Sequence, residues 1–84
     1  MRVYFITFRS VTLAQRGEAV LEKRGIRSQI QRTPRWMEER GCGYCLKLTL
    51  QDVAVAAETL KGAGIEFRKI YRQQPGGNVK EVIG

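Results

Sequence analysis

An α+β sandwich is what this sequence predicts, with two helices on one face of a four-stranded antiparallel sheet. Three observations predict it. Four short stretches are β-branched, aromatic or alternately apolar, as strands require. Two stretches between them repeat their apolar residues at helical spacing. And Leu21-x-x-x-Gly25-Ile26 is echoed by Leu60-x-x-x-Gly64-Ile65, so one strand-helix-strand unit follows another. Two right-handed units joined in this way give a β-α-β-β-α-β, ferredoxin-like sandwich whose first and third strands are central. At 84 residues the chain is one domain. Residues 1–72 are assigned to it, and 73–84 to a C-terminal turn followed by a short strand or a flexible tail.

Val3 to Phe8 makes the first strand. Val3 and Phe5 lie on one face and Tyr4, Ile6 and Phe8 on the other, so both faces are apolar and the strand is central. Ser10 or Thr12 caps the helix that follows, and its stripe is Leu13, Gly17, Val20 and Leu21. Gly17 weakens the helix by about 1 kcal/mol relative to Ala, and lets it lie close to the sheet. Lys23 and Arg24 suit the C-terminal dipole, and Gly25 suits the position that ends a helix. Ile26, Ser28 and Ile30 alternate with Arg27, Gln29 and Gln31 as a half-exposed second strand, which stops before Thr33-Pro34. Residues 33–43 are irregular, with one helical turn at most; Trp36 and Met37 either cover the core edge or form a lid or partner contact beside the cysteines. Leu46, Leu48 and Leu50 alternate with Cys45, Lys47 and Thr49 in a third strand. Asp52 caps a second helix with the stripe Val53, Ala56, Ala57 and Leu60; Gly62 or Gly64 ends it, and Ile65 to Tyr71 is the fourth strand.

With both helices on one face, the other would show either Tyr4, Ile6 and Phe8 or Val3 and Phe5. An apolar patch of that size marks an interface, and the expectation is a homodimer through the open sheet face. The net charge of +7 suits an acidic partner, but the arginines are scattered from Arg2 to Arg72 rather than clustered, which disfavours nucleic acid without excluding it. No stretch is long and apolar enough to span a membrane, and the apolar opening is too short for a signal peptide. A cytoplasmic location is expected.

The chemistry centres on Arg40-Gly41-Cys42-Gly43-Tyr44-Cys45, which holds both cysteines. With no histidine in the chain, Cys-His nucleophile pairs and mixed Cys/His zinc sites are excluded within one chain. Two thiolates are half of a structural zinc set, so no metal is assigned. A thiolate is the nucleophile, and cations lower its pKa; Arg35 and Arg40 are the candidates, although Glu38 and Glu39 compete for them. Gly41 and Gly43 free the backbone around Cys42 for close approach of a reagent, and their amides can form an anion-binding concavity. Cys45 opens the third strand, opposite in parity to Leu46 and so off the helix-packed face. It is either a second functional sulfur or a small inert apolar residue. Cys42-x-x-Cys45 invites a dithiol redox reading, yet a strand follows it rather than the helix that stabilises the thiolate in thioredoxin-like folds.

Taken together, Tyr4-Phe5-x-Thr7-Phe8-x-Ser10, Gly25-Ile26, Pro34-Arg35, Gly41-Cys42-Gly43 and Gly64-Ile65 give the chain its resemblance to the selenium/sulfur carrier-like domain family. The resemblance covers roughly residues 3–72. Gly-Cys-Gly after Pro-Arg is its specific part. It implies that Cys42 takes sulfur or selenium as a persulfide or selenopersulfide, between donor and acceptor proteins and with no cofactor. It implies a transfer protein rather than an independent enzyme. Cys45 is an extra that some members share, and it would resolve a persulfide by forming a disulfide. The segment Pro34 to Arg40 carries charged residues where small ones are expected, so nothing transfers to Trp36 to Glu39, and the segment from Pro75 to Gly84 lies outside the resemblance. The competing classes are a C-x-x-C dithiol redox protein and a non-catalytic basic module that binds nucleic acid or protein.

Overall fold

The structure is a computed structural model and describes residues 2–33, 43–74, 76 and 79–83. Its elements are β1 (Arg2–Phe8), α1 (Val11–Lys23), β2 (Ser28–Arg32), β3 (Tyr44–Leu50), α2 (Ala54–Gly62), β4 (Ile70–Gln73) and β5 (Val79–Ile83). The strands form one antiparallel sheet in the order β2-β3-β1-β4-β5, so β1 and β3 are interior, as expected. The sheet has five strands rather than four. The fifth comes from the C-terminal segment, which pairs with β4 from Gln73↔Val79 to Ile70↔Ile83.

Alternation along β1 divides the core. Tyr4, Ile6 and Phe8 join Leu46 and Leu48 of β3, Ala14 and Leu21 of α1, and Ala56, Ala57 and Leu60 of α2 in one buried cluster. Both helices therefore cover the same face. The opposite parity of β1 and β3 puts Phe5 and Cys45 on the other face, in a small cluster flanked by Val3, Tyr71 and Val79. Phe5 is only 9% exposed, so the apolar surface left on this face is smaller than the sequence suggests.

Gly17 sets the distance between helix and sheet. A β-carbon there would stand 3.1 Å from Phe8 Cζ and 3.3 Å from Leu60 Cδ2, so α1 seats against both β1 and α2 through a gap in its own side chains. Ser10, not Thr12, caps α1: its Oγ accepts from the Leu13 amide at 3.2 Å.

The repeated Leu-x-x-x-Gly-Ile has one physical cause. At the end of α1, the Gly25 and Ile26 amides donate to the carbonyls of Glu22 and Leu21, each at 2.9 Å. At the end of α2, the Gly64 and Ile65 amides donate to Lys61 and Leu60 at 3.0 and 2.9 Å. Both are Schellman caps, with the glycines at φ 78° and 73°. Ile26 and Ile65 are buried behind them, which fixes the exit direction of the chain. Gly64, rather than Gly62, is thus the stop of the second helix.

Three boundaries differ from expectation. β2 begins at Ser28, not Ile26, because the Ile26 amide is used by the stop of α1. Asp52 does not occupy the N-cap of α2; Val53 does, and Asp52 Oδ1 accepts from the Ala54 amide at 3.0 Å one residue earlier in the turn. The fourth strand begins at Ile70, not Ile65. Ile65, Phe67 and Ile70 all pack on the helix-side core, and the odd spacing between Phe67 and Ile70 breaks a two-residue period. Thr7 holds this break. Its amide donates to the Lys69 carbonyl at 2.9 Å, its carbonyl accepts from the Arg68 amide at 2.7 Å, and its Oγ1 accepts from the Lys69 amide at 3.0 Å. Among the described residues no helix is long and apolar enough to cross a membrane.

Candidate functional site

Of the residues singled out from the sequence, Gly43 and Cys45 are described; Arg35, Arg40, Gly41 and Cys42 lie outside the described residues, as do Trp36 and Met37. The described part of the site is where β2 ends, β3 begins and β1 ends. The Thr33 amide donates to the Gly43 carbonyl at 3.1 Å, one step beyond the Arg32↔Tyr44 pair. This bond closes the β2–β3 ladder at the two residues that flank segment 34–42. Gly43 is needed there for close packing: a β-carbon would stand 3.0 Å from the Phe8 carbonyl oxygen of β1.

Cys45 sits between Gln31 of β2 and Thr7 of β1. It is a free thiol with no exposed surface. Burial pushes its pKa up, and the nearby Thr33 hydroxyl opposes that push without overcoming it. Such a thiol is held protonated at neutral pH and is a poor nucleophile. Thr33 is itself 4% exposed, and its Oγ1 lacks a well-formed hydrogen bond among the described residues, so its influence on the sulfur is that of a nearby dipole rather than a fixed donor. The parity argument thus put Cys45 on the correct face. Thr33 was not singled out, because it joins the site only through the register of β2 on β3.

The same end of the sheet is rich in cations that sequence reading left as scattered charge. Arg32 stacks over the Tyr44 ring, 5.9 Å from its centroid, beside the Thr33–Gly43 bond. Arg9 follows directly on Phe8. Arg68 and Lys69 are brought to this end by the Thr7 bonds. Glu66 and Glu81 offset them in part, and Glu81 pairs with Lys69 at 3.2 Å. Among the described residues no group of three His, Cys, Asp or Glu converges as a metal site.

One comparison with known proteins bears on this site. The family model described as "Putative Se/S carrier protein-like" matches residues 3–72, most of the chain, including the whole of the cysteine segment. No curated protein and no solved structure matches.

Proposed function

Because the chain belongs to the Se/S carrier protein-like family, we propose that Cys42 carries sulfur or selenium between a donor and an acceptor protein. For sulfur, the Cys42 thiolate attacks the outer sulfur of a donor persulfide. A new sulfur–sulfur bond forms on Cys42, the donor's bond breaks, and the donor leaves as a thiolate. Delivery to the acceptor reverses these roles. The observation that carries the reading is the family match across Gly41-Cys42-Gly43. Cys45 supports it by elimination: a buried, protonated thiol does not meet a donor first, which leaves that step to Cys42. Arg35 and Arg40 are proposed to hold the anionic adduct, with Gly41 and Gly43 keeping its approach open, and Arg32 adds charge beside Gly43.

The proposed architecture is a ferredoxin-like sandwich, β2-β3-β1-β4, to which β5 is appended at the edge. The Val3, Phe5, Tyr71 and Val79 face is the one free of helices, and a homodimer is proposed to form through it.

The state of Cys45 favours a carrier over a dithiol switch: it has no exposed surface and its pKa is raised, so it is a poor partner for thiol–disulfide exchange while β3 stays paired.

The test is intact mass under non-reducing conditions after exposure to a cysteine-desulfurase-type persulfide donor. The wild type and Cys45→Ser should gain one sulfur, and Cys42→Ser none. An adduct that survives Cys42→Ser, or no adduct in any of the three, would overturn the reading.

A further inference from the structure

We propose that a second site, a cleft between the β1–α1 junction and the α2–β4 connection, binds a small oxyanion of the phosphate or carboxylate type. Arg9, Leu13, Glu66, Phe67, Arg68 and Lys69 line it, and its volume is about 210 Å³. No cysteine lines it, so the inference does not rest on sulfur chemistry.

Size decides the class of ligand first. Pockets for drug-sized or cofactor-sized molecules run to about 300–1,000 Å³. This cleft takes one charged group and little more.

Charge decides its sign. The lining holds Arg9, Arg68 and Lys69 against Glu66, and Glu81 pairs with Lys69 from outside it at 3.2 Å, so cations exceed carboxylates by one. Arg9 has no carboxylate partner among the described residues. A guanidinium there matches a phosphate or carboxylate in a two-pronged hydrogen-bonding geometry, which an ammonium does not.

The frame around these charges is fixed. The Arg68 and Lys69 amides are tied to Thr7 at 2.7 and 3.0 Å, so the backbone that carries both cations is locked to β1. Leu13 and Phe67 pack on the main core and give the cleft an apolar wall, beside which a charge interaction is less screened than in open water. The first turn of α1 carries no acidic side chain to occupy the cleft from that direction, and the positive end of the helix adds to the field.

The test follows backbone amides by NMR as the full chain is titrated with sodium phosphate, sodium acetate and sodium chloride at matched ionic strength. Saturable shifts at Arg9, Leu13 and Phe67 to Lys69 with phosphate alone identify a phosphate-type site. The same shifts with acetate as well identify a site for carboxylates in general. Arg9→Gln should weaken binding about tenfold, the loss of one charge-assisted contact, while the rest of the spectrum is kept. Arg27→Gln, exposed at the opposite end of the sheet, should bind as the wild type does. Shifts that track ionic strength alike in all three salts would overturn the proposal, as would equal affinity in Arg9→Gln.

Discussion

The carbonyl oxygen of Phe8 lies where it would stand 3.0 Å from a β-carbon on Gly43. That oxygen belongs to the backbone of a central strand and has no freedom to move aside. Gly43→Ala must therefore push β3 away from β1, at the point where the Thr33–Gly43 bond closes the ladder. The expected cost is about 1–3 kcal/mol, the usual range for overpacking. Urea denaturation checks it, and an unchanged midpoint would mean that the two strands do not meet this closely in solution.

Gly17→Ala sets two effects against each other. Helix propensity favours Ala by about 1 kcal/mol. Against it, the new methyl would lie 3.1 Å from Phe8 Cζ, 3.3 Å from Leu60 Cδ2 and 3.4 Å from Leu46 Cδ1, inside a packed core. Overpacking typically costs about 1–3 kcal/mol, so the net change should be destabilising by about 1 kcal/mol. A gain in thermal midpoint would show that Phe8 and Leu60 give way easily.

The twin helix stops offer a matched pair. Gly25 and Gly64 have φ of 78° and 73°, and nothing lies within 4 Å of a β-carbon added to either. Sterics with neighbours are thus absent, and what remains is the backbone cost of the left-handed conformation, about 1–2 kcal/mol. Gly25→Ala and Gly64→Ala should lower stability by similar amounts, as read from chemical denaturation. A large difference between them would show that one cap is coupled to more of the fold than its local bonds.

These caps were legible in the sequence because everything they need lies within six residues. The face of Cys45 was legible too, since alternation with Leu46, Leu48 and Leu50 is local. The start of β4 was not. Ile65 and Phe67 alternate with Glu66 and Arg68 as a strand would, and what stops pairing there is Thr7, about sixty residues away in the chain. The fifth strand was left open for the same reason: Val79 to Ile83 is an edge that becomes a strand only against β4. Thr33 and Arg9 acquire neighbours through register and topology, so their places beside Cys45 and in the basic cleft had no local signal.

Cys45 should be silent to thiol reagents in the folded protein. It has no exposed surface and a raised pKa. An aromatic disulfide reagent should label Cys42→Ser only after denaturant is added, and rapid labelling of that variant without denaturant would contradict its burial.

The same burial makes stability depend on pH in one direction. In the unfolded chain the Cys45 thiol ionises near its ordinary value of 9.0, while the folded protein holds its proton to higher pH. Between those two values the folded state binds more protons than the unfolded state, so stability falls as pH rises; below them the contribution is complete. The wild type should lose more stability than Cys45→Ala between pH 7 and pH 10. Parallel pH profiles for the two would show that the thiol is not desolvated.

Oxidation without a sulfur donor tests the strand entry directly. Tyr44 pairs with Phe8 on one side and Arg32 on the other, and Cys45 pairs with Thr7 and Gln31. Cys45 is held between them with no exposed surface and a raised pKa, so it is a poor partner for an intramolecular disulfide while the strand stays paired. A mild oxidant should therefore leave the monomer with both thiols, or join two chains through Cys42. If the monomer instead loses two hydrogens quickly, while the Tyr44 and Cys45 amides stay protected from exchange, the start of β3 accommodates the bridge without opening. The dithiol reading would then displace the carrier.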